Sequence, residues 1–184
     1  MSLNTLDITP TPRILRTLGE IPFQTWQCIA ELVDNSIDAF LSNTGLEDRE
    51  QRITVTWSSD SVGAADRTLE VSDNAAGMSI DQLQNAVRAG YTSNDPIGNL
   101  GLFGMGFNIA TARLGEETTI LSTRSGDADW VGVKIDFQKL IDSKKFDAPI
   151  IRKAKSNPEE NGTRITISKI KTGILGELSN KESE

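Results

Sequence analysis

Glu31, Asn35 and Asp38 stand at i, i+4 and i+7 in the run Glu31-Leu-Val-Asp34-Asn35-Ser36-Ile-Asp38-Ala39. At about 100° per residue in a helix, the second and third fall within roughly 40° of the first. Two carboxylates and an amide on one face offer a proton acceptor and hard oxygen ligands for a cation such as Mg²⁺. The same spacing also describes the solvated face of an amphipathic helix. A second run, Leu69-Glu-Val-Ser-Asp73-Asn74-Ala75-Ala76-Gly77-Met78, puts an aspartate where an apolar strand ends. There it can accept a hydrogen bond from an exocyclic amine. The small residues after it let a flat ring approach the backbone, and Met78 can pack on that ring. An acidic strand-end turn has the same composition.

Further along, Gly98-Asn-Leu-Gly101-Leu102-Phe103-Gly104-Met105-Gly106-Phe107-Asn108 brings four glycines to the entry of a helix. Free backbone N–H groups and the positive end of the helix dipole make such an entry a ready anion site. It lacks the Lys-Ser/Thr ending of a P-loop and follows no strand of a βαβ unit, so neither familiar phosphate fingerprint applies. A flexible loop with a tight helix entry is the other reading. Last comes Asn161-Gly162-Thr163-Arg164-Ile165, a turn that opens a strand.

Composition narrows the chemistry. The 184 residues contain no histidine and one cysteine, Cys28. That excludes a Ser-His-Asp or Cys-His pair, histidine metal ligands, an internal disulfide and any multi-cysteine metal site within the chain. Proton transfer falls to carboxylates, lysines, Tyr91, the thiol or water. Cys28 lies one turn before Glu31 and reads as a small buried apolar residue. A net charge of -7 gives the whole chain no polycationic character. Residues 139–171 nevertheless hold nine basic and four acidic side chains, the stretch that could speak for nucleic acid, or for a solvated face. No apolar run approaches the ~20 residues of a membrane helix, and no secretory pattern opens the chain. The expected compartment is the reducing cytoplasm.

The elements that must position these residues follow from periodicity and breakers. An extended arm with Pro10 and Pro12 leads into a short helix at Arg13–Leu18, ended by Gly19. Pro22 suits the start of a helix over Phe23–Leu41, in which Trp26, Ile29, Ala30, Val33, Ile37 and Phe40 recur at helical spacing. Strands are expected at Arg52–Ser58, Arg67–Ser72, Thr118–Thr123, Trp130–Ile135, Ile150–Ala154 and Thr163–Ile167, the third and fourth forming a hairpin. Helices are expected at Met78–Ala89, with Ser79 as N-cap, at Phe103–Leu114 and near Phe137–Ile141, with a polar tail at the end. This describes one α+β domain, divided as an arm and short helix over 1–20, a domain over 21–170, and a tail or the start of a further domain over 171–184.

Taken in order, the four chemical runs resemble the gyrase, heat-shock chaperone, histidine-kinase and MutL ATPase superfamily, the GHKL or Bergerat fold. Glu31-x-x-x-Asn35-x-x-Asp38-Ala39 resembles its N-box, Asp73-x-x-x-Gly77-Met78 its adenine box, Gly101-x-x-Gly104-x-Gly106-Phe107 its phosphate lid, and Gly162-Thr163 its final Gly-Thr pair. The resemblance is to MORC-like or chaperone-like members. It implies a two-layer α/β sandwich, a mixed, mostly antiparallel sheet covered on one face by helices, with an ATP lid between the adenine box and the glycine-rich helix. Glu31 would be the general base and Asn35 the Mg²⁺ ligand. Asp38 and Ala39 would flank them, and Asp73, Gly77, Met78 and Thr163 would form the adenine pocket. Gly101, Leu102, Phe103, Gly104, Met105, Gly106 and Phe107 would embrace the phosphates.

Ala75 stands where the family has a glycine, and Asn108 where some MutL-like and MORC-like members have lysine. The implied activity is slow Mg²⁺-dependent ATP hydrolysis acting as a switch, with ATP-driven homodimerisation. A lysine or arginine would come from a downstream transducer domain, in a DNA-repair, defence or chaperone-like protein. A kinase of the histidine-kinase or anti-sigma type and a non-hydrolysing ATP sensor are the alternatives.

Overall fold

A computed structural model of the chain describes residues 11–42, 50–58, 63–88 and 106–179. In chain order the elements are α1 (Arg13–Leu18), α2 (Thr25–Leu41), β1 (Ile53–Trp57), β2 (Thr68–Asp73), α3 (Ile80–Val87) and α4 (Gly106–Leu114). They continue with β3 (Gly115–Thr123), β4 (Asp129–Asp136), α5 (Phe137–Ser143), β5 (Ile150–Ala154), β6 (Gly162–Ile170) and α6 (Thr172–Ser179). The strands form a six-stranded sheet in the order β1-β2-β6-β3-β4-β5. Every ladder among the described residues is antiparallel, in keeping with the mostly antiparallel sheet that the resemblance implies.

Alternation sets the two faces of this sheet. Val71, Ile165 and Ile120 lie side by side across β2, β6 and β3, with Leu69, Ile167 and Thr118 in the next row. All six are buried, and they meet Cys28 and Leu32 of α2, Ala110 and Leu114 of α4, and Phe137 and Leu140 of α5. Each valine, leucine, isoleucine or phenylalanine removed from water contributes about 1.5–3 kcal/mol. The opposite face is laced by polar side chains: Thr166 Oγ1 donates to Glu70 Oε2 at 3.0 Å, and Arg164 stacks 5.1 Å from the Trp130 ring centre. Lys134 and Lys169 both pair with Glu117, at 2.8 and 2.6 Å, and hold its carboxyl below the usual glutamate range.

Local chemistry explains the element ends. Ser79 Oγ accepts from the Gln82 amide at 3.3 Å while Gln82 Oε1 accepts from the Ser79 amide at 2.8 Å, a capping box at the expected N-cap of α3. Asp136 caps α5 by accepting from the Lys139 amide at 3.0 Å. The β3–β4 hairpin turns through Arg124–Asp127, where Gly126 takes φ +83° and Asp127 pairs with Arg124 at 3.1 Å.

Two expectations are corrected here. The buried line of α2 runs through Thr25, Cys28, Leu32, Ser36 and Phe40, and Trp26 is 66% exposed. Ile29 and Val33 flank that line half-buried. Cys28 sits fully buried in this seam, its thiol pushed up to about 11 by burial. The segment read as a polar tail begins with α6, whose Ile174 is 2% exposed and whose Glu177 Oε2 accepts from Thr25 Oγ1 at the start of α2.

Part of the basic stretch over 139–171 is engaged within the fold, while Lys144, Lys145, Arg152 and Lys153 are exposed. Lys139 pairs with Asp136, Lys155 donates to the Arg124 and Pro158 carbonyls, Arg164 pairs with Glu70, and Lys171 donates to the Ala112 carbonyl. No helix among the described residues is long and apolar enough to cross a membrane.

Candidate functional site

Three central strands end at one corner of the sheet, and the site is built there. Asp73 closes β2. Its Oδ1 accepts from the backbone amides of Ala75 at 3.0 Å and Thr163 at 3.1 Å, and its Oδ2 accepts from Ser36 Oγ of α2 at 2.9 Å. Those bonds fill Oδ1 and leave a lone pair on Oδ2 for an incoming donor. Burial raises the Asp73 carboxyl above the usual aspartate range, outweighing the three donors that lower it. The chain must then pass close to its neighbours. Gly77 adopts φ +76°, and a Cβ there would lie 1.9 Å from the Thr123 carbonyl oxygen. Gly162 adopts φ +127°, and a Cβ would lie 2.0 Å from the Asp73 carbonyl oxygen. Only glycine suits either place. Ala75, standing for the family's first glycine, is fully buried, and its amide serves Asp73.

Three further side chains complete this end, Asn161 from the fourth run and two serines that spacing did not single out. Ser36 orients Asp73. Ser122 of β3 accepts from the Met78 amide at 2.9 Å and meets both the Gly162 carbonyl and Thr163 Oγ1 at 3.0 Å. Asn161 Nδ2 donates to the carbonyls of Asn74 at 3.0 Å and Ala75 at 2.6 Å, tying the entry of β6 to the turn after β2. For Ser122 the only sequence signal was a hydroxyl on the apolar side of an alternating strand, two residues after Ile120.

The other end is carried by α2 and the start of α4. Glu31 projects from α2 toward Gly106, the first residue of α4, where a Cβ would lie 2.1 Å from Glu31 Oε2. Burial, and then the neighbouring Asp34, raise the Glu31 carboxyl above its usual range, which strengthens it as a proton acceptor. The same two causes raise Asp38. Asn35 donates Nδ2 to the Glu31 carbonyl at 2.8 Å, so its amide oxygen is the end left to face outward. Ala39 is half-buried beside Asp38. Phe107 and Asn108 are buried in α4, and Asn108 Nδ2 has no hydrogen-bond partner among the described residues.

Of the residues expected to hold phosphate, Gly101, Leu102, Phe103, Gly104 and Met105 lie outside the described residues. No group of three or more acidic or cysteine side chains suited to a metal ion occurs among the described residues. A Mg²⁺ carried by nucleotide phosphates takes one or two protein oxygens. The amide oxygen of exposed Asn35, whose Nδ2 is held by the Glu31 carbonyl, is an oxygen that could serve there.

An antiparallel sheet backed by helices, with a half-buried strand-end aspartate, a helix-borne Glu-Asn pair and a glycine at the facing helix entry, defines a nucleotide-binding domain of the GHKL type. The comparison with known families agrees: residues 23–172 match the family described as histidine kinase-, DNA gyrase B-, and HSP90-like ATPase, and the chain belongs to it. ATP binding is the property that membership implies. Over 98 residues, 53% of this chain, it is 29% identical to Protein MICRORCHIDIA 7 of Arabidopsis thaliana. That alignment spans 13% of the plant protein's length.

Proposed function

We propose that the chain binds ATP with Mg²⁺ and hydrolyses it slowly, Glu31 serving as general base. The observation that carries this reading is that one helix, α2, holds both ends of the site. Ser36 engages Asp73 at the sheet corner, while Glu31 lies against Gly106 at the start of the glycine-rich helix. An adenine amine would donate to the open lone pair of Asp73 Oδ2, with Gly77, Met78 and Thr163 around the ring. The phosphates would then run toward the α4 entry, where the helix dipole favours anions. Asn35 would hold Mg²⁺, which supplies charge neutralisation across the phosphate oxygens when bound.

Glu31 accepts a proton from a water molecule as the water oxygen bonds to the γ-phosphorus. The bond from that phosphorus to the bridging oxygen breaks, and ADP and inorganic phosphate leave. Asp38 and Ala39 line the same helix beside this step. The ATP-bound domain, over 21–170, would act as a switch that favours homodimerisation, with the Met1–Pro12 arm as the exchanged segment. It would work within a larger DNA-repair, defence or chaperone-like protein in the cytoplasm, whose transducer domain supplies a basic residue to the γ-phosphate.

The test is phosphate release from Mg²⁺-ATP, with nucleotide binding measured in parallel, for the wild type and Glu31→Gln. The expected result is retained binding and a loss of release of about 10²–10⁴-fold, the usual contribution of a positioned base. Bound ATP with no release from the wild type would overturn hydrolysis and leave a binding module.

A further inference from the structure

β5 closes one side of the sheet, and its outer edge pairs with no strand among the described residues. The Lys155 amide donates to the Ala128 carbonyl at 3.4 Å, in register with the pairs Lys153–Trp130 and Ile151–Gly132. Residues of an antiparallel pair alternate between those that bond across the ladder and those that do not. The N–H and C=O groups of Ile150, Arg152 and Ala154 therefore point away from β4, where a further strand would bond them.

Side chains at this edge sort onto two faces. Arg152 lies beside Val131 and Ile150 beside Val133 on the helix-facing side, and Lys153 lies beside Trp130 on the open side. Ile150 is 58% exposed and Phe146, just before the strand, 51%. Lys144, Lys145, Arg152 and Lys153 are exposed, and their side chains enter no ion pair among the described residues. Over residues 144–154 a single acid, Asp147, stands against these four cations.

Cations on an edge oppose self-pairing. A second β5 laid antiparallel against this one would bring Arg152 and Lys153 close to their own copies, and like charges across a ladder destabilise it. A strand of opposite charge is attracted by the same side chains. The split between faces also selects the class of partner. A phosphate backbone or a lipid surface lies along one face, whereas a β-strand carries side chains alternately on two. Two consecutive acids on such a strand meet Arg152 on one face and Lys153 on the other.

We propose that the β5 edge is a docking surface for an extended acidic segment of another protein, which joins the sheet as an added edge strand. Set antiparallel, the segment reads acid-acid-x-apolar: the acids pair with Lys153 and then Arg152, and the apolar residue covers Ile150. β3 and β4 separate this edge from β6 of the nucleotide site, and the inference does not depend on the nucleotide reading.

The experiment is fluorescence anisotropy of a labelled peptide built on Glu-Glu-Thr-Val, titrated with the full chain. Comparison probes are the same peptide with Lys-Lys for Glu-Glu, the acidic peptide N-methylated at alternate amides, a single-stranded DNA oligonucleotide and phosphatidylserine vesicles. The acidic peptide should bind saturably, and the Lys-Lys peptide more weakly by about tenfold or more. The double variant Arg152→Glu, Lys153→Glu should reverse that preference. N-methylation of the bonding amides should weaken binding by about tenfold. Ala154→Pro, which removes an outward N–H and no bond to β4, should act in the same direction.

No saturable binding of the acidic peptide, indifference to N-methylation, or an unchanged preference in the charge-reversed variant would overturn the proposal. Tighter binding of the oligonucleotide or the vesicles than of the peptide, lost in the charge-reversed variant, would overturn it too and assign the patch to phosphate. Should Ala154→Pro not fold, the N-methylated peptide makes the same test on the wild type.

Discussion

The Glu31 carboxylate closes over Gly106, so near that a methyl added to that glycine would sit 2.1 Å from Oε2 and 3.1 Å from Cδ. The helix bearing the acidic run and the glycine-rich helix thus meet through a residue with no side chain. In Gly106→Ala the side chain yields rather than the backbone, because the obstructing atoms are the far end of a flexible glutamate. Helix stability should hold or rise by up to about 1 kcal/mol, since alanine outranks glycine in a helix. ATP turnover should fall, by up to about 10²-fold if the carboxylate moves 1 Å. Unfolding midpoints and phosphate release measured together would separate the two effects, and wild-type turnover in the variant would remove the contact from the mechanism.

Asp73 links stability to nucleotide recognition with opposite signs. Its carboxyl is raised on folding, burial being the first cause. The folded chain therefore holds that proton more tightly than the unfolded chain does. The group's contribution to stability is complete below the unfolded value and is lost as pH rises through the folded one. Asp73→Asn removes the half-buried charge. The amide oxygen can still accept from Ala75 and Thr163, and Ser36 can turn to accept from the new NH₂. Denaturation across about pH 4–8 should show the variant gaining on the wild type as pH rises, while ATP affinity drops about tenfold or more because a donor now faces the adenine amine. Parallel stability curves would refute the linkage.

The acid limb of ATP turnover should report Glu31. A base is competent when ionised, and burial followed by Asp34 raises this carboxyl above its ordinary value. Activity should thus fall with decreasing pH at a point above the ordinary glutamate range. Asp34→Asn withdraws the second cause and should move the limb to lower pH, leaving the plateau in place. A limb that stays put or moves upward in kcat/KM profiles would count against Glu31 as the titrating group.

Local signals were enough for much of the fold. Arg13–Leu18 and Ile150–Ala154 are bounded as their sequences indicate, since glycine and proline mark the end of the first and the start of the second. The Asp73-to-Gly77 turn and the Gly162-Thr163 entry could be read because a backbone at positive φ in close quarters needs a particular residue. Ser36 and Ser122 could not, because a lone serine acquires meaning only once strand register and helix rotation are known. Helix α6 was hidden for another reason. Gly173 and Gly176 depress its intrinsic helicity, and the burial of Ile174 with the Glu177–Thr25 contact overrides that preference. The seam of α2 misled in the opposite sense, since its bulkiest apolar residue, Trp26, faces away from the sheet.

The strand order carries a consequence for how the chain comes to life. β6, the last strand in sequence, lies between β2 and β3 and supplies both Gly162 and Thr163. A nascent chain that has emerged only as far as β5 holds two separate antiparallel pieces, with Asp73 on one and Ser122 on the other. Until β6 zips them together, each exposes an unpaired edge to any neighbouring strand. The late, long-range pairing predicts slow folding with a vulnerable half-made sheet, and a base pocket that matures only in the final step.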